Sequence, residues 1–412
     1  MRTDGRAYGL PAPRHTAELT EVGPGKPMGE LMRRYWHPIG LTTDAAATPK
    51  MVRVLGEDLV LFRDGAGRPG LVYPRCRHRG ASLFFGKVEE SGIRCCYHGW
   101  LFDVEGHCLE QPMDRSERTS YGAIHRQPWY PVQEQYGLIW AYLGPAEKQP
   151  ALPRYDCLET LEPGEVIEAD DSSIGSGGGA IAPCNWLQHF ENVLDPDHLP
   201  VLHDSHSGPQ FGFLADPQQR PSFVDRNFAS TDRGVIQELR QVLPNGRTMN
   251  MTVEVVFPTL RVVPIPRRDI NVATGEEGFE RVESIGWVLP IDDTHYRIFV
   301  VGRVTQPGQL GLLRSRFNGK LWSDMTPEEH QRFPGDYETQ VSQGPITAHS
   351  EERLVAGDKG VALIRHGLMA QLKRIENGLD PIGVSFDADA PPIKFNAGRL
   401  LGPIPKRAEA PV

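Results

Sequence analysis

Short apolar runs alternate with polar and turn-forming residues through the first third of the chain. The segments MVRVLGEDLVLFRD (51–64), RPGLVYP (68–74) and YGLIWAYLG (136–144) are rich in β-branched and aromatic residues and are bounded by Gly, Asp and Pro. That pattern is typical of short antiparallel strands and hairpins. Before them, PMGELMRRY (27–35) has the spacing of a short amphipathic helix that begins at a proline. We therefore predict an N-terminal segment at 1–35 and an all-β domain at 36–148.

The rest of the chain has a different pattern. A Pro- and acid-rich linker, PAEKQPALPRYDCLETLEPGE, precedes a helical segment near Asn185 to Leu199. Strand-like runs follow, among them RTMNMTVEVVF, TLRVVPI, SIGWVLPI and YRIFVVGR, and helical patterns resume from about Pro327. Strands grouped together and helices grouped together predict an α+β domain, with an antiparallel sheet and its helices on one side, at 149–412.

Composition narrows the class of protein. The 412 residues include 24% charged residues with a net charge of −9, and no long run of one sign, which argues against nucleic acid and anionic membrane as partners. No run approaches the roughly 18 apolar residues of a membrane span, and the N-terminus lacks the apolar core of a signal peptide. We expect a cytoplasmic protein. Thiols stay reduced there, so the six cysteines are candidates for ligands and not for a disulfide framework.

Four of the candidate ligands lie on two neighbouring loops. Cys76 and His78 occur in CRHRG, and Cys95 and His98 in CCYHGW. Two thiolates and two imidazoles suit either tetrahedral zinc or a [2Fe-2S] cluster with histidines on one iron. A zinc finger of this composition keeps its cysteines on one hairpin and its histidines on one helix. Here each loop carries one of each, which favours the cluster.

A second polar group interrupts the helical segment after Asn185. His198 and His203 are five residues apart, a spacing that does not put them on one face of a regular α-helix. Pro200 lies between them, and we expect it to end the helix so that the second imidazole turns back. Two histidines and a distant carboxylate would form the facial triad of non-haem Fe(II) oxygenases.

The first pair of loops resembles the Rieske motif. The resemblance implies that Cys76 and Cys95 hold the inner iron of the cluster, and that His78 and His98 hold the outer iron. It also implies that Gly80 and Gly99 let the backbone approach the cluster, and that Tyr97 and Trp100 shield it from water. Cys96 lacks the ligand spacing and is expected to be a small buried residue, and His107 and Cys108 match no ligand position.

The second group resembles the iron motif of Rieske non-haem iron aromatic-ring-hydroxylating oxygenases. Asn192, Asp195, His198 and His203 stand at matching positions, and the resemblance of FPGDYETQVSQGPI points to Asp336 as the third iron ligand. Glu338 and Asp324 are the alternatives. By the same resemblance Asp195 orients a ligand histidine and bridges to a cluster histidine of a neighbouring chain. We expect His189 and His206 to lie next to the site or on the surface, and Asp197 to face solvent or cap locally.

The resemblance extends over nearly the whole chain, through VGPGKPMGELMRRYWHPIG, VLPIDDTHYRIF and HSEERLVAGDKGVALIRHGLMAQLKRIENGLDP, to the oxygenase (alpha) components of the phthalate dioxygenase branch. It implies a [2Fe-2S] Rieske cluster and a mononuclear Fe(II), use of O2, a head-to-tail homotrimer, and a helix-grip-like catalytic domain. It further implies hydroxylation or O-demethylation of an aromatic substrate, expected to carry a carboxylate. Arg261, Arg267 or Arg268 could pair with that carboxylate, although surface arginines at a strand end are the simpler interpretation.

The tract GSGGGA (Gly175 to Ala180) superficially fits a dinucleotide fingerprint. No apolar strand precedes it and Pro183 interrupts any helix after it, so we expect no nicotinamide site there. Electrons would then come from a separate NAD(P)H-dependent reductase, with or without a ferredoxin. Two other classes stay open: a Rieske electron-transfer protein without oxygenase activity, and a zinc-stabilised binding module. A reddish-brown protein would indicate iron-sulfur, and a colourless one zinc.

Overall fold

The computed structural model of the protein describes residues 10–114, 125–172, 178–210, 222–242, 246, 248–264, 282–313, 316–317 and 320–401. Two short helices, α1 (Ala17–Thr20) and α2 (Pro27–Met32), come first. As predicted, α2 begins at its proline, and it buries Met28, Leu31 and Met32. It ends three residues earlier than predicted, because the chain turns into the first strand at Trp36.

Three small sheets of antiparallel strands follow, in the orders β1-β11-β10, β2-β3-β4-β9 and β5-β6-β7-β8. The β2–β3 hairpin turns at Leu55 and Gly56, both at positive φ (47° and 77°), which suits the right-handed twist of the two strands. The strands are β1 Trp36–Leu41, β2 Lys50–Val54, β3 Glu57–Arg63, β4 Pro69–Val72, β5 Lys87–Glu89, β6 Gly92–Arg94, β7 Leu101–Phe102, β8 Cys108–Glu110, β9 Trp129–Tyr130, β10 Val132–Gln135 and β11 Leu138–Tyr142.

One large antiparallel sheet organises the second half, in the order β12-β18-β17-β16-β15-β14-β13, with β21 paired to β15. A separate two-stranded ribbon is formed by β19 and β20. The strands are β12 Val166–Asp170, β13 Ser222–Ser230, β14 Gly234–Val242, β15 Thr248–Val256, β16 Leu260–Val262, β17 Ser284–Asp292, β18 His295–Val304, β19 Arg316–Phe317, β20 Lys320–Leu321 and β21 Gly398–Leu401.

Helices pack across this sheet. The helices are α3 Asp156–Glu159, α4 Trp186–Asn192, α5 His198–Pro200, α6 Pro327–Arg332, α7 Asp336–Ser342 and α8 Lys359–Glu376, with a π-helical turn at Val201–His206. α4 contacts β17 and β18, and α8 contacts β13 and β14. The predicted α+β fold, a β-rich first part and an antiparallel sheet covered by helices, is therefore confirmed. In the described part of the chain, no helix combines the length and the apolar composition that a membrane crossing requires.

The main hydrophobic core crosses the predicted boundary at 148/149. The Trp287 ring of β17 packs against Trp140 of β11, with ring centroids 5.0 Å apart, and against Tyr155 of the linker at 5.6 Å. A second, smaller core contains Cys76 and Cys95 together with apolar residues of β3, β4, β6 and β7. The loops with the first set of candidate ligands thus have their own core, separate from the main one.

Candidate metal centres

The two loops of the first centre follow β4 and β6. Cys76 and Cys95 are each 3% exposed, whereas His78 is exposed and His98 half-buried. Each loop closes on its own cysteine: Gly80 N donates to Cys76 O at 2.8 Å, and Gly99 N donates to Cys95 O at 3.1 Å. Both glycines adopt the left-handed backbone (φ 76° and 74°) that a side chain would strain. The loops therefore present sulfur inward and imidazole outward.

The side chains of the two loops meet. The His78 and His98 rings lie 4.5 Å apart, and the Trp100 ring stacks on His78 at 4.7 Å. Burial raises the pKa of Cys76 to about 12, and the adjacent Cys95 sulfur contributes in the same direction. Two thiols this close and this buried need a cationic partner to be held as thiolates.

The spacing fits a group larger than one ion. Ligands of a single tetrahedral zinc lie about 2.0–2.3 Å from the metal, so all four would come within roughly 4 Å of one another. The four Cys and His ligand atoms of these loops do not gather within 4.8 Å. Buried sulfurs and outward imidazoles fit a two-iron cluster, with thiolates on the inner iron and imidazoles on the outer one.

One expectation about this centre was wrong. Cys96 is exposed, because the neighbouring Cys95 points into the core and adjacent side chains on an extended loop point apart. Tyr97 is 57% exposed and lies against His98, at 3.8 Å between ring centroids. Trp100 is 9% exposed and stacks on His78, so both aromatic rings lie on the ligand histidines.

The second centre unites three residues from different elements. His198 of α5, His203 of the π-helical turn and Asp336 at the start of α7 bring one ligand atom each within 4.8 Å of the others. Asp336 Oδ1 lies 3.5 Å from His198 Nε2 and 3.2 Å from His203 Nε2. Burial alone would raise the pKa of Asp336, but His203 and His198 outweigh it and hold that pKa well below its usual range. Two imidazole nitrogens and a carboxylate around one point suit a divalent transition metal.

Pro200 does not end the helical segment between the histidines, contrary to the prediction. It is the last residue of α5, and the chain continues directly into the π-helical turn Val201–His206. There the bonding runs from a residue to the fifth one before it, as in Ser207 N to Leu202 O at 3.3 Å. Five residues then complete roughly one turn, so His198 and His203 face the same side. The widened π-helical turn, and not a helix end, therefore brings the two imidazoles together.

Polar neighbours orient this centre. His203 Nδ1 lies 2.7 Å from Gln210 Oε1, which can only accept, so His203 carries its proton on Nδ1 and turns Nε2 to the centre. Asn192 Nδ2 donates to Asp336 Oδ1 at 3.4 Å. Asp195 Oδ2 is 3.6 Å from His198 Nδ1, beyond a direct hydrogen bond but within ion-pair range. No spacing rule pointed to Gln210, because the contact depends on how the chain turns after the π-helical turn.

The alternative carboxylates lie elsewhere. Glu338 Oε1 accepts from Trp322 Nε1 at 2.6 Å and lies 2.7 Å from His330 Nδ1. Asp324 ends an exposed turn and is not part of the group.

Among the remaining polar residues near the site, His206 is exposed. Asp197 is half-exposed and pairs with Arg226 at 2.6 Å. His189 is buried at 2% exposure and contacts Gln340.

Two more parts of the sequence meet here. Arg261 of β16 is half-buried with its Nε atom fully covered, in electrostatic contact with Asp336 and Tyr296, and burial lowers its pKa to about 10. Arg267 and Arg268 lie outside the described residues.

Gly178 of the GSGGGA tract packs closely on the ring of Tyr337, the residue after Asp336. A Cβ added at Gly178 would lie 1.8 Å from Tyr337 Cδ2. This glycine therefore serves packing of α7.

Known proteins resemble the chain over most of its length. The Rieske [2Fe-2S] domain family matches residues 35–128. The phenoxybenzoate dioxygenase subunit alpha of Ectopseudomonas oleovorans is 46% identical over 90% of this chain and 88% of its own. The 5,5'-dehydrodivanillate O-demethylase oxygenase subunit of Sphingobium sp. is 30% identical over 90% and 82%.

Among solved structures, the NdmA QL mutant of Pseudomonas putida CBB5 with caffeine shares the fold. Its TM-score is 0.59 at 20% identity, over 89% of this chain and 99% of that one. The identity to the phenoxybenzoate dioxygenase subunit, over nearly all of both chains, is what shows the family. The chain is a Rieske oxygenase component with a Rieske [2Fe-2S] domain, and it belongs to the Rieske aromatic-ring-hydroxylating oxygenases as an oxygenase (alpha) component.

Proposed function

We propose that the protein is the terminal oxygenase of a multicomponent system, with a mononuclear Fe(II) held by His198, His203 and Asp336. It hydroxylates or O-demethylates an aromatic substrate that carries a carboxylate. The observation that carries the proposal is the meeting of these three ligand atoms within 4.8 Å, in a chain that also has a separate Cys and His set. Such a site gives Fe(II) open positions for O2 and one-electron chemistry.

The residues of the second centre have different roles. Asp336 supplies the negative charge and spans both imidazoles. Gln210 holds the His203 tautomer that leaves Nε2 available, and Asn192 holds the same carboxylate oxygen that faces the histidines. Fixed donors around a metal site raise its affinity and its geometric definition.

Electrons enter at the cysteine and histidine loops. Cys76 and Cys95 would hold the inner iron of the [2Fe-2S] cluster, and His78 and His98 the outer one, where exposed imidazole edges lie open to a partner. Gly178 packs against Tyr337, so this residue of the glycine tract has a packing role that does not involve a nucleotide. We propose that a separate NAD(P)H-dependent reductase, with or without a ferredoxin, supplies the electrons, as the multicomponent relatives suggest.

Arg261 is the proposed anchor for the substrate carboxylate. Its side chain is half-buried, and it lies within electrostatic reach of Asp336. Gly286 of the neighbouring β17 leaves it room, since an added Cβ there would lie 3.3 Å from Arg261 Nε. A guanidinium can bind a carboxylate in a bidentate way and so orient the ring toward the metal.

We further propose a homotrimer in which the cluster of one chain serves the iron of the next. The cluster loop is rich in exposed arginines (Arg75, Arg77 and Arg79) and carries exposed Phe85, whereas Asp195 is partly exposed beside His198. Opposite charges favour that pairing. Asp195 would then link His198 to His78 or His98 of the neighbour, in a heterologous closed ring.

The test combines product analysis with metal analysis. Purified protein, a surrogate reductase, NADH and O2 should convert one member of a panel of phthalates, methoxybenzoates and biaryl acids. Asp336→Ala should keep the cluster's visible absorption while it loses mononuclear iron and turnover. Full iron and turnover in Asp336→Ala would overturn the ligand assignment, and Glu338 would then be substituted next. A protein that takes up electrons but consumes no O2 with any substrate would instead be an electron carrier.

A further inference from the structure

We propose that His189 is a positioning residue for the metal site: by donating a hydrogen bond to Gln340 it fixes α7, and so sets where the Asp336 carboxylate meets His198 and His203. The inference rests on the metal site proposed above. It assigns a role to a buried histidine that is not part of the ligand set.

Three side chains of α4 contact α7. Gln188 Nε2 donates to the backbone oxygen of Gln340 at 2.7 Å, and two further links join side chain to side chain. Asn192 contacts Asp336 at 3.4 Å, and His189 Nδ1 contacts Gln340 Oε1 at 3.2 Å. The paired positions are three residues apart on α4 and four apart on α7, so each pair lies on one helix face. A change at the His189 link therefore acts on the same helix that carries Asp336, one turn away.

The Gln340 side chain is held on both sides. Tyr296 of β18 donates to Oε1 at 2.7 Å, which ties the amide to the sheet, and His189 ties it to α4. Because this oxygen can only accept, His189 must be the donor and carry its proton on Nδ1. Burial, followed by the charge of Arg261, lowers the pKa of His189 to about 3, so the imidazole stays neutral in this role.

A gain in folding stability does not explain why His189 and Gln340 are buried. His189 and Gln340 are 2% and 1% exposed, and each has a buried nitrogen, His189 Nε2 and Gln340 Nε2, without a hydrogen-bond partner among the described residues. Each such atom has lost its hydrogen bond to water without replacement and therefore lowers the stability of the fold. An apolar residue in place of His189 would lower that cost and still leave Gln340 Oε1 its bond from Tyr296.

A role in positioning α7 explains the buried His189 and Gln340 side chains better. Glu338 accepts from Gly335 N at 2.9 Å and so caps the first turn of α7 locally. With only seven residues, however, α7 depends on tertiary contacts for its position. Without the His189 bond, Gln340 has one anchor for its amide instead of two. The N-terminal turn of α7, with Asp336, is then less restrained. Metal binding must order this turn, which lowers the observed affinity.

The experiment measures metal affinity and stability together. Protein with an intact cluster is freed of mononuclear metal by a chelator, and Co²⁺ affinity is measured anaerobically by competition with a chromophoric chelator. His189→Leu should weaken Co²⁺ binding roughly 10-fold, the size of effect seen for residues behind metal ligands, while its Tm stays equal or rises. His189→Asn keeps a donor near the position of Nδ1 and should bind within about threefold of wild type.

Controls separate the outcomes. His37→Leu alters another buried, neutral histidine, which bonds to Met32 O and not to α4 or α7, and should leave Co²⁺ affinity unchanged. Tyr296→Phe removes the other bond to the same oxygen and should also weaken binding, which tests the link if His189→Leu fails to fold. Wild-type affinity in His189→Leu, or an equal loss in His37→Leu, overturns the positioning role alone. Wild-type binding that survives His198→Ala overturns the proposed metal site itself.

Discussion

At the scale of single residues, a hydrogen-bond partner decides which histidine nitrogen faces the metal site. His203 is bound through Nδ1 to Gln210 and turns Nε2 to Asp336. The donor set of the first centre likewise depends on single side chains, because His78 and His98 are its two imidazoles, with ring centroids 4.5 Å apart. Each of these choices can be altered by one substitution.

Gln210→Leu should reduce the affinity for divalent metal roughly 10-fold, because the acceptor that fixes the His203 tautomer is gone. Gln210→Glu, which retains an acceptor at that position, should stay near wild type. Iron per chain after dialysis against a weak chelator measures the difference. Equal iron in the leucine and glutamate variants would show that Gln210 does not orient His203.

His78→Cys should keep an iron-sulfur cluster but lower its reduction potential by some hundreds of millivolts, since thiolate replaces a neutral imidazole on the outer iron. Turnover with the reductase should fall. A redox titration followed by visible absorption gives the midpoint, and an unchanged midpoint would contradict the assignment of His78.

At the scale of elements, two contacts between neighbouring elements have unusual local structure. The π-helical turn Val201–His206 aligns His198 with His203 where a regular helix would have separated them. In the N-terminal part of the chain, His37 of β1 donates from Nε2 to Met32 O of α2 at 2.8 Å, and its Nδ1 is buried without a partner among the described residues. A neutral, buried histidine makes that contact sensitive to acid.

Burial lowers the pKa of His37 to about 4, although the bond to Met32 O acts in the opposite direction. As pH falls below the unfolded value near 6.5, the unfolded chain takes up the proton first, so stability is lost. Between pH 7 and pH 5 the loss should be about 2 kcal/mol. His37→Gln keeps the donor and does not titrate, so its Tm should fall less over this interval. Parallel pH curves for the two proteins would rule out His37 as a source of acid sensitivity.

At the scale of the whole molecule, the two centres belong to different cores. Cys76 and Cys95 lie in the smaller core, whereas the main core runs from the first helices through the large sheet. An arrangement of copies that brings a cluster of one chain to the iron site of another is therefore the proposed route for electrons, with Asp195 at the junction.

Asp195→Asn should retain both metals but lose most coupled turnover, because the carboxylate that would link the histidines of two chains is neutralised. Subunit mixing tests the route directly. A His98→Ala chain and an Asp336→Ala chain, each inactive alone, should regain partial activity when unfolded and reassembled together. Mixed oligomers, verified by mass, that are no more active than the separate variants would mean that electrons travel within one chain.

Local spacing determined much of this protein from sequence alone. The Cys and His pairs at 76–78 and 95–98 each lie on one tight loop, so their chemistry is readable without the fold. Runs of apolar, β-branched and aromatic residues likewise predicted the α+β class and the strands β2, β3, β4, β11, β15, β16, β17 and β18, because side-chain burial repeats with the strand. Helix α2 was also predicted to begin at its proline.

Contacts between distant segments were decided by the tertiary structure. Asp336 and Glu338 are two residues apart, yet only packing turns Asp336 to the histidines and leaves Glu338 with Trp322. Arg261 is half-buried and in electrostatic contact with Asp336, which the strand pattern around it did not predict because that contact joins distant segments. Gln210, Gln340 and the widened turn after Pro200 had no local pattern, since each depends on a partner that chain folding brings near.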